Sequence, residues 1–194
     1  MFDPVTLVLI ILALTVHEFA HALTADRLGD PTPRSQGRLT LNPLAHLDPI
    51  GTLAMILVGF GWGKPVQIDP YNLKNPRRDE LLIAIAGPAS NILLAMLSAI
   101  LIQFLGGYQL IIKFLFLNLS LAVFNMLPLW PLDGSKVLVN ALPFQTGYRL
   151  QQALQTYGLP LLILTMLPLF GGVSIVSQII YPIIGFLGSI LLGQ

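Results

Sequence analysis

Residues 5–29 read VTLVLIILALTVHEFAHALTADRLG, and this stretch decides how the chain is interpreted. Thirteen almost wholly apolar residues, Pro4 to Val16, run directly into His17-Glu18-Phe19-Ala20-His21. An apolar helix of this length suits a bilayer, yet each ionisable group placed there costs on the order of 3 kcal/mol by insertion scales. Three such groups within one and a half turns need a compensating partner.

The rest of the chain supports a membrane setting. Of its 194 residues 55% are hydrophobic and 10% charged, against about 25% charged in soluble domains. Mean hydropathy is +0.78. No charge occurs among the 32 residues from Leu81 to Ile112, the 19 from Phe114 to Leu132 or the 45 from Leu150 to Gln194. Uncharged apolar runs of about 18 or more residues read as membrane-spanning helices. A net charge of +1 with no basic cluster argues against nucleic acid as a partner. The absence of cysteine excludes disulfides and thiolate metal ligands. Asp3 stands where a signal peptide has its positive region, and no small-residue cleavage site follows the apolar run. The first span is expected to be retained.

The first helix is expected over Pro4–Leu28, ended by Gly29-Asp30-Pro31. In the polar loop 30–48, Leu39 and Leu41 alternate with Arg38 and Thr40, a short strand signal. Residues 49–62 are apolar and glycine-containing but too short for a hydrocarbon core of about 30 Å, which suggests a re-entrant hairpin. A second polar loop covers 63–80. Further spans are expected over 81–105, 109–127, 148–169 and 173–192, with breaks at Gly106-Gly107 and Gly171-Gly172, and a short helix near 135–142. The fold class is therefore an all-α integral membrane protein of about five transmembrane helices plus a re-entrant or short β element, forming one domain over 1–194.

If 49–62 dips in and returns, both early loops lie on one side with Arg27, Arg34, Arg38, Lys64, Lys74, Arg77 and Arg78. Counting spans puts Lys136 and Arg149 on the same side, and Lys113 at a helix end where it can snorkel. The excess of basic residues assigns that side to the cytosol. The expected localisation is the cell membrane, multi-pass, with the polar motif and the C-terminus facing the cytosol.

On a helix, His17 and His21 are one turn apart and face the same way, so both imidazoles reach one ion while Glu18 lies beside them. His-Glu-x-x-His supplies two zinc ligands and a general base toward water. Catalytic zinc usually takes three protein ligands. The third is either His46, the remaining histidine, or a carboxylate, of which Asp133 in NMLPLWPLDG stands out after 19 uncharged residues. Asp133-Gly134-Ser135 also suits a helix N-cap, and composition leaves both readings open.

HEFAH at 17–21 and NMLPLWPLDG at 125–134 together resemble the site-2 proteases, intramembrane zinc metalloproteases. AGPASN at 86–91 resembles the Gly-Pro-x-x-Asn element of the family's central span, and the loops RLTLNPLAHLDPIGT and GWGKPVQIDPYNLKNPRRDE resemble its small, compact branch. The resemblance covers about residues 8–142. It implies one zinc ion held by His17, His21 and Asp133, Glu18 as general base and later proton donor to the leaving amine, and Asn125 as a hydrogen-bond donor to the substrate carbonyl or oxyanion. Asn125 alternatively makes an interhelical hydrogen bond.

Gly87, Pro88 and Asn91 read as packing and supporting groups. His46 either supports the site or bonds loop backbone, with Asp48 nearby to set its tautomer. Residues 59–68, GFGWGKPVQI, resemble the family's membrane-embedded glycine-containing loop, where an unwound substrate segment would pair with a strand edge. Gly61 and Gly63 are the substrate-binding candidates there, although Gly59, Gly61 and Gly63 also suit an ordinary turn. No insert the size of a PDZ domain interrupts the chain, and no regulatory C-terminal module is evident.

The expected function is zinc-dependent endopeptidase cleavage in or near transmembrane segments, with membrane-protein substrates and the lipid bilayer as partners. A non-catalytic zinc-binding scaffold or sensor on the same fold is the alternative, and a transporter with a polar interior is a third class.

Overall fold

The computed structural model of the protein describes residues 3–58, 61–168 and 172–193. Among these residues there are eight α-helices and no strands. Two compact units, Met1–Asn91 and Ile92–Gln194, divide the chain, and the division falls inside the fourth helix.

The first unit is built on α1 (Pro4–Leu28). Asp3 caps its start by accepting the Thr6 N–H at 2.9 Å, and Gly29 ends it at φ 110°, a left-handed conformation that favours glycine. Leu9, Ala13, His17, His21 and Ala25 recur every four residues and are all buried, whereas Val5, Val8 and Leu12 are exposed. The polar motif therefore lies on the buried face of an apolar helix, not on the face left for lipid. Small side chains at Ala13, Ala22 and Ala25 keep that face thin.

Beyond Gly29, the fully buried Asp30 carboxylate organises the following turns. It accepts N–H bonds from Thr32 at 3.0 Å, Asp69 at 2.8 Å and the Asn72 side chain at 2.9 Å. These join the short helix α2 (Thr32–Ser35) to the 3-10 turn Pro70–Asn72. Burial opposes the charged form of Asp30, but the four hydrogen-bonding contributions outweigh it and hold the carboxyl below its ordinary range.

The strand expected around residues 38–41 does not form. The segment bends around Arg38, whose guanidinium is 3% exposed and donates to the carbonyls of Ala45 and Lys64. Two backbone carbonyls bound to one cation displace the alternating pattern that a half-exposed strand would need. The chain then enters α3 (Pro49–Val58), ten residues and about 15 Å long. Its return past residue 61 packs on α3, because a Cβ at Gly51 would collide with the Trp62 backbone and one at Gly61 with Met55. Only one isolated bridge, Leu47 with Gly63, gives this element β character among the described residues. Gly59 lies outside the described residues.

α4 (Pro76–Leu105) starts five residues before the expected span, because Pro76 at its first turn and the polar PRRDE segment extend it. In the second unit its later part contributes Ala95 and Ala99 to a core with Leu115 and Leu119 of α5 (Gln109–Asn125) and with Val176, Ile180 and Ile184 of α8 (Ile175–Leu192). Gly106, at φ 91°, makes the expected turn between α4 and α5. The end of α5 leads through the cis Trp130–Pro131 peptide into α6 (Asp133–Ala141) and then α7 (Phe144–Met166). Gly172 has φ 81° at the expected second break, whose neighbour Gly171 is outside the described residues.

α1, α4 and α8 are long and apolar enough to cross a membrane by length and composition. α5 is apolar but 17 residues long. The first half of α7 carries Gln145, Arg149, Gln151, Gln152 and Gln155. These facts fit a helical membrane protein.

Asp30→Ala is expected to lower stability by about 1–3 kcal/mol, since it removes the hydrogen bonds that Thr32, Asp69 and Asn72 donate to a buried carboxylate. Because its folded pKa is depressed, the Asp30 contribution is complete above the ordinary aspartate range of about 4 and is lost as pH falls through the folded value. Thermal unfolding of wild type and variant in detergent, at neutral and acid pH, measures both effects; the gap between them should narrow in acid.

Candidate metal centre

His17 and His21 leave α1 one turn apart, with ring centroids 4.7 Å apart and planes at 83°. Each ring is oriented by α4. His21 Nδ1 lies 2.7 Å from the Ile83 carbonyl, which can only accept, so that nitrogen carries the proton. His17 Nδ1 lies 2.6 Å from Asn91 Oδ1, while Asn91 Nδ2 donates to the Ala13 carbonyl at 3.2 Å. The Asn91 amide is thereby committed as acceptor toward His17, and the same tautomer is assigned there.

With both protons on Nδ1, the two Nε2 lone pairs face each other at 3.0 Å. Such lone pairs repel unless a cation lies between them. Zinc–nitrogen bonds of about 2.0–2.1 Å at a tetrahedral angle place two ligand nitrogens about 3.3 Å apart. The pair fits a metal ion with little adjustment.

The GP step of α4 makes this approach feasible. A Cβ at Gly87 would strike His21 Nε2 and Cε1 and His17 Cε1. Pro88, next to it, lacks the N–H that would bond Ala84 and crowds that carbonyl. The glycine removes bulk where the rings arrive, and the proline loosens the turn next to the Ile83 carbonyl that meets His21.

Glu18 sits on the same buried face, 9% exposed, and one carboxylate oxygen accepts the Val66 N–H at 3.1 Å. Val66 belongs to the extended segment after α3. That segment is also held by Lys64 N–H to the His46 carbonyl at 2.8 Å and by the Arg38 clamp on Lys64. Burial pushes the Arg38 guanidinium down from its ordinary value while the Glu18 carboxylate pulls it up. A buried cation thus balances the general-base candidate across the loop.

The remaining sequence candidates fall as follows. His46 is fully buried, with Nε2 2.8 Å from the Thr40 carbonyl and Nδ1 lacking a hydrogen-bond partner, and it forms no metal-capable group with His17 and His21 among the described residues. Gly63 lets the extended segment approach α1, since a Cβ there would press on Leu14 and the His46 carbonyl. Gly61 has the corresponding close approach to α3.

In the second unit, Asn125 is the last residue of α5 and donates to the Leu121 carbonyl at 2.9 Å. Asp133 is the first residue of α6 and is buried; it is not the N-cap, a position held by Leu132. Gly134 follows because a Cβ would collide with the backbone of Met126 and Leu127.

Three groups that support the site have no signal in the sequence: the Arg38 guanidinium, the Ile83 carbonyl and the Val66 N–H. Backbone groups carry no residue signature. An arginine among polar loop residues gives no sign that it is buried.

Comparison with known proteins assigns the chain to a family. The model of peptidase family M50 matches residues 108–169. YwhC of Bacillus subtilis, named as a candidate zinc metalloprotease, is 38% identical over 180 residues, covering 86% of this chain and 82% of that protein. Rip2 of Mycobacterium tuberculosis, named likewise, is 33% identical over 174 residues, covering 84% of this chain and 66% of its own. Stage IV sporulation protein FB of Bacillus subtilis is 31% identical over 156 residues, 73% of this chain and 53% of that protein. No solved structure matches at a significant level. The chain belongs to peptidase family M50, the site-2 protease family of metalloproteases, whose cofactor is zinc.

Replacing Asn91 with Leu should weaken zinc binding by roughly 10–100-fold through loss of the His17 support. Gly87→Val should weaken it further by displacing both rings. Metal content under chelator competition measures both, with circular dichroism confirming retained helix.

Proposed function

We propose that this protein is an intramembrane zinc endopeptidase that hydrolyses peptide bonds in or near transmembrane segments of membrane-protein substrates. The observation that carries the reading is the motif of α1: two imidazoles tautomerically locked with Nε2 atoms 3.0 Å apart, and a buried carboxylate beside them, on an apolar helix. A purely structural histidine pair needs neither the adjacent Glu18 nor the Gly87 clearance.

In this proposal His17, His21 and Asp133 hold the metal. Asp133 is favoured as third ligand by its burial in a chain without cysteine, and by the engagement of His46 Nε2 with loop backbone. When bound, zinc polarises the scissile carbonyl and lowers the pKa of water toward about 7. Glu18 would take a proton from the attacking water and return it to the leaving amine; its second oxygen provides the capacity, as the first is anchored by Val66 N–H. Asn125 donates to the developing oxyanion, a neutral amide adding no second buried charge.

A helical substrate segment must unwind before its carbonyl can be reached. The extended run from Gly61 to Ile68 would pair with it, and its bond to Glu18 through Val66 sets such a pairing beside the general base. The finer topology is part of the same proposal: one catalytic domain of about five spans, α3 and its return as a re-entrant element, and the basic loops with the site on the cytosolic side of the cell membrane.

A zinc-binding scaffold without activity is the second reading, and Glu18 separates the two because a binding site needs no base. Glu18→Gln should retain zinc and lower cleavage of a co-expressed single-span substrate by roughly 10²–10⁴-fold. Undiminished cleavage would exclude the mechanism. Asp133→Ala should lose both metal and activity; full zinc occupancy in that variant would remove Asp133 from the ligand set.

A further inference from the structure

At the polar ends of α1 and α4, away from the histidines, the first unit contains a second feature unrelated to peptide hydrolysis. A cavity of about 330 Å³ opens there, at the lower end of the size range of small-ligand pockets. Three cations line it: Arg27 from the last turn of α1, Lys74 from the preceding loop and Arg78 from the first turn of α4. None of the three makes an ion pair or hydrogen bond through its side chain among the described residues. By contrast, the neighbouring Arg34 is held by Asp26 through two bonds of 2.8 and 2.6 Å.

The one acidic residue lining the cavity does not neutralise this charge. Asp79 is 4% exposed and is used to close the start of α4, accepting the Asn75 N–H at 2.8 Å while its own N–H bonds the Asn75 carbonyl at 2.8 Å. Three unpaired cations therefore face one inward-turned carboxylate, beside the positive end of a thirty-residue helix. Leu82, one turn beyond Arg78 toward the apolar run of α4, forms the apolar wall and is 39% exposed, while Leu28, the last residue of α1, packs on the core of Ala25, Leu73 and Ile83. The site is cationic toward the polar end and apolar toward the hydrocarbon.

We propose that this cavity binds the phosphate group of an anionic phospholipid, with Arg27, Lys74 and Arg78 around the phosphate and the first acyl carbons against Leu82. The chemistry recognised is a phosphate anion. The adjoining apolar wall, at the boundary of two helices long enough to span a membrane, selects a lipid headgroup over free phosphate. The site does not depend on the metal or on the protease reading. It would hold together the polar ends of the two helices that carry His17, His21 and Asn91.

The test uses the full chain, purified and delipidated in a neutral detergent. Phosphatidylglycerol, phosphatidylcholine and inorganic phosphate are titrated separately, with bound lipid counted by native mass spectrometry and thermal stability followed in parallel. Phosphatidylglycerol should bind and raise the melting temperature, while phosphatidylcholine should do so weakly. The combined Arg27→Gln, Lys74→Gln and Arg78→Gln variant should lose roughly hundredfold in phosphatidylglycerol affinity, and Lys136→Gln with Arg149→Gln should lose little. Should the triple variant fail to fold, Lys74→Gln and Arg78→Gln singly, each expected to lose several-fold, carry the test. Equal binding of the two lipids, or phosphatidylglycerol binding unchanged in the folded variants, overturns the proposal. Inorganic phosphate alone giving the same stabilisation overturns the lipid as its source.

Discussion

The constraint on which the first unit depends is that polar groups on the buried face of an apolar helix must be satisfied. His17 and His21 meet it by donating their Nδ1 protons to Asn91 and the Ile83 carbonyl. This single arrangement fixes the rotation of α1 against α4, the tautomer of each ring and the direction of both Nε2 lone pairs. Gly87 and Pro88 follow from it, since rings brought this close require a bare Cα and an accessible carbonyl turn. Asn91 acts on both sides of the contact, accepting from His17 and donating to Ala13.

A second polar network supports the loops. Arg38 gathers two carbonyls from separate segments, Asp30 gathers three donors from two, and Glu18 takes the Val66 N–H. Buried ions of this kind are costly unless fully bonded, and here each is tied to backbone. The extended segment 61–68 is thus held between α1 and the loop around His46, without the regular ladder of a sheet. Its two close-packed glycines, Gly61 and Gly63, are explained by that approach.

Helix positions were largely legible in the sequence because apolar runs, prolines and glycines mark them directly. α1 has the expected bounds, and α5, α6 and α8 start or end within a few residues of expectation. The absence of the strand expected near Leu39 was not legible, since the alternating pattern there includes Arg38, whose burial no local rule reveals. α7, expected as a span, carries glutamines and Arg149 in its first half that blur the apolar signal.

The sequence alone determined the chemistry on offer: an i, i+4 histidine pair with an intervening glutamate, no thiol, and a lone aspartate in a proline-broken segment. Covalent spacing on a helix suffices for that, because side chains one turn apart necessarily share a face. Tertiary structure decided the protonation pattern and support of that pair. The partners are a carbonyl and an amide 62 and 74 residues away in the chain, and packing, not local pattern, brings such groups together.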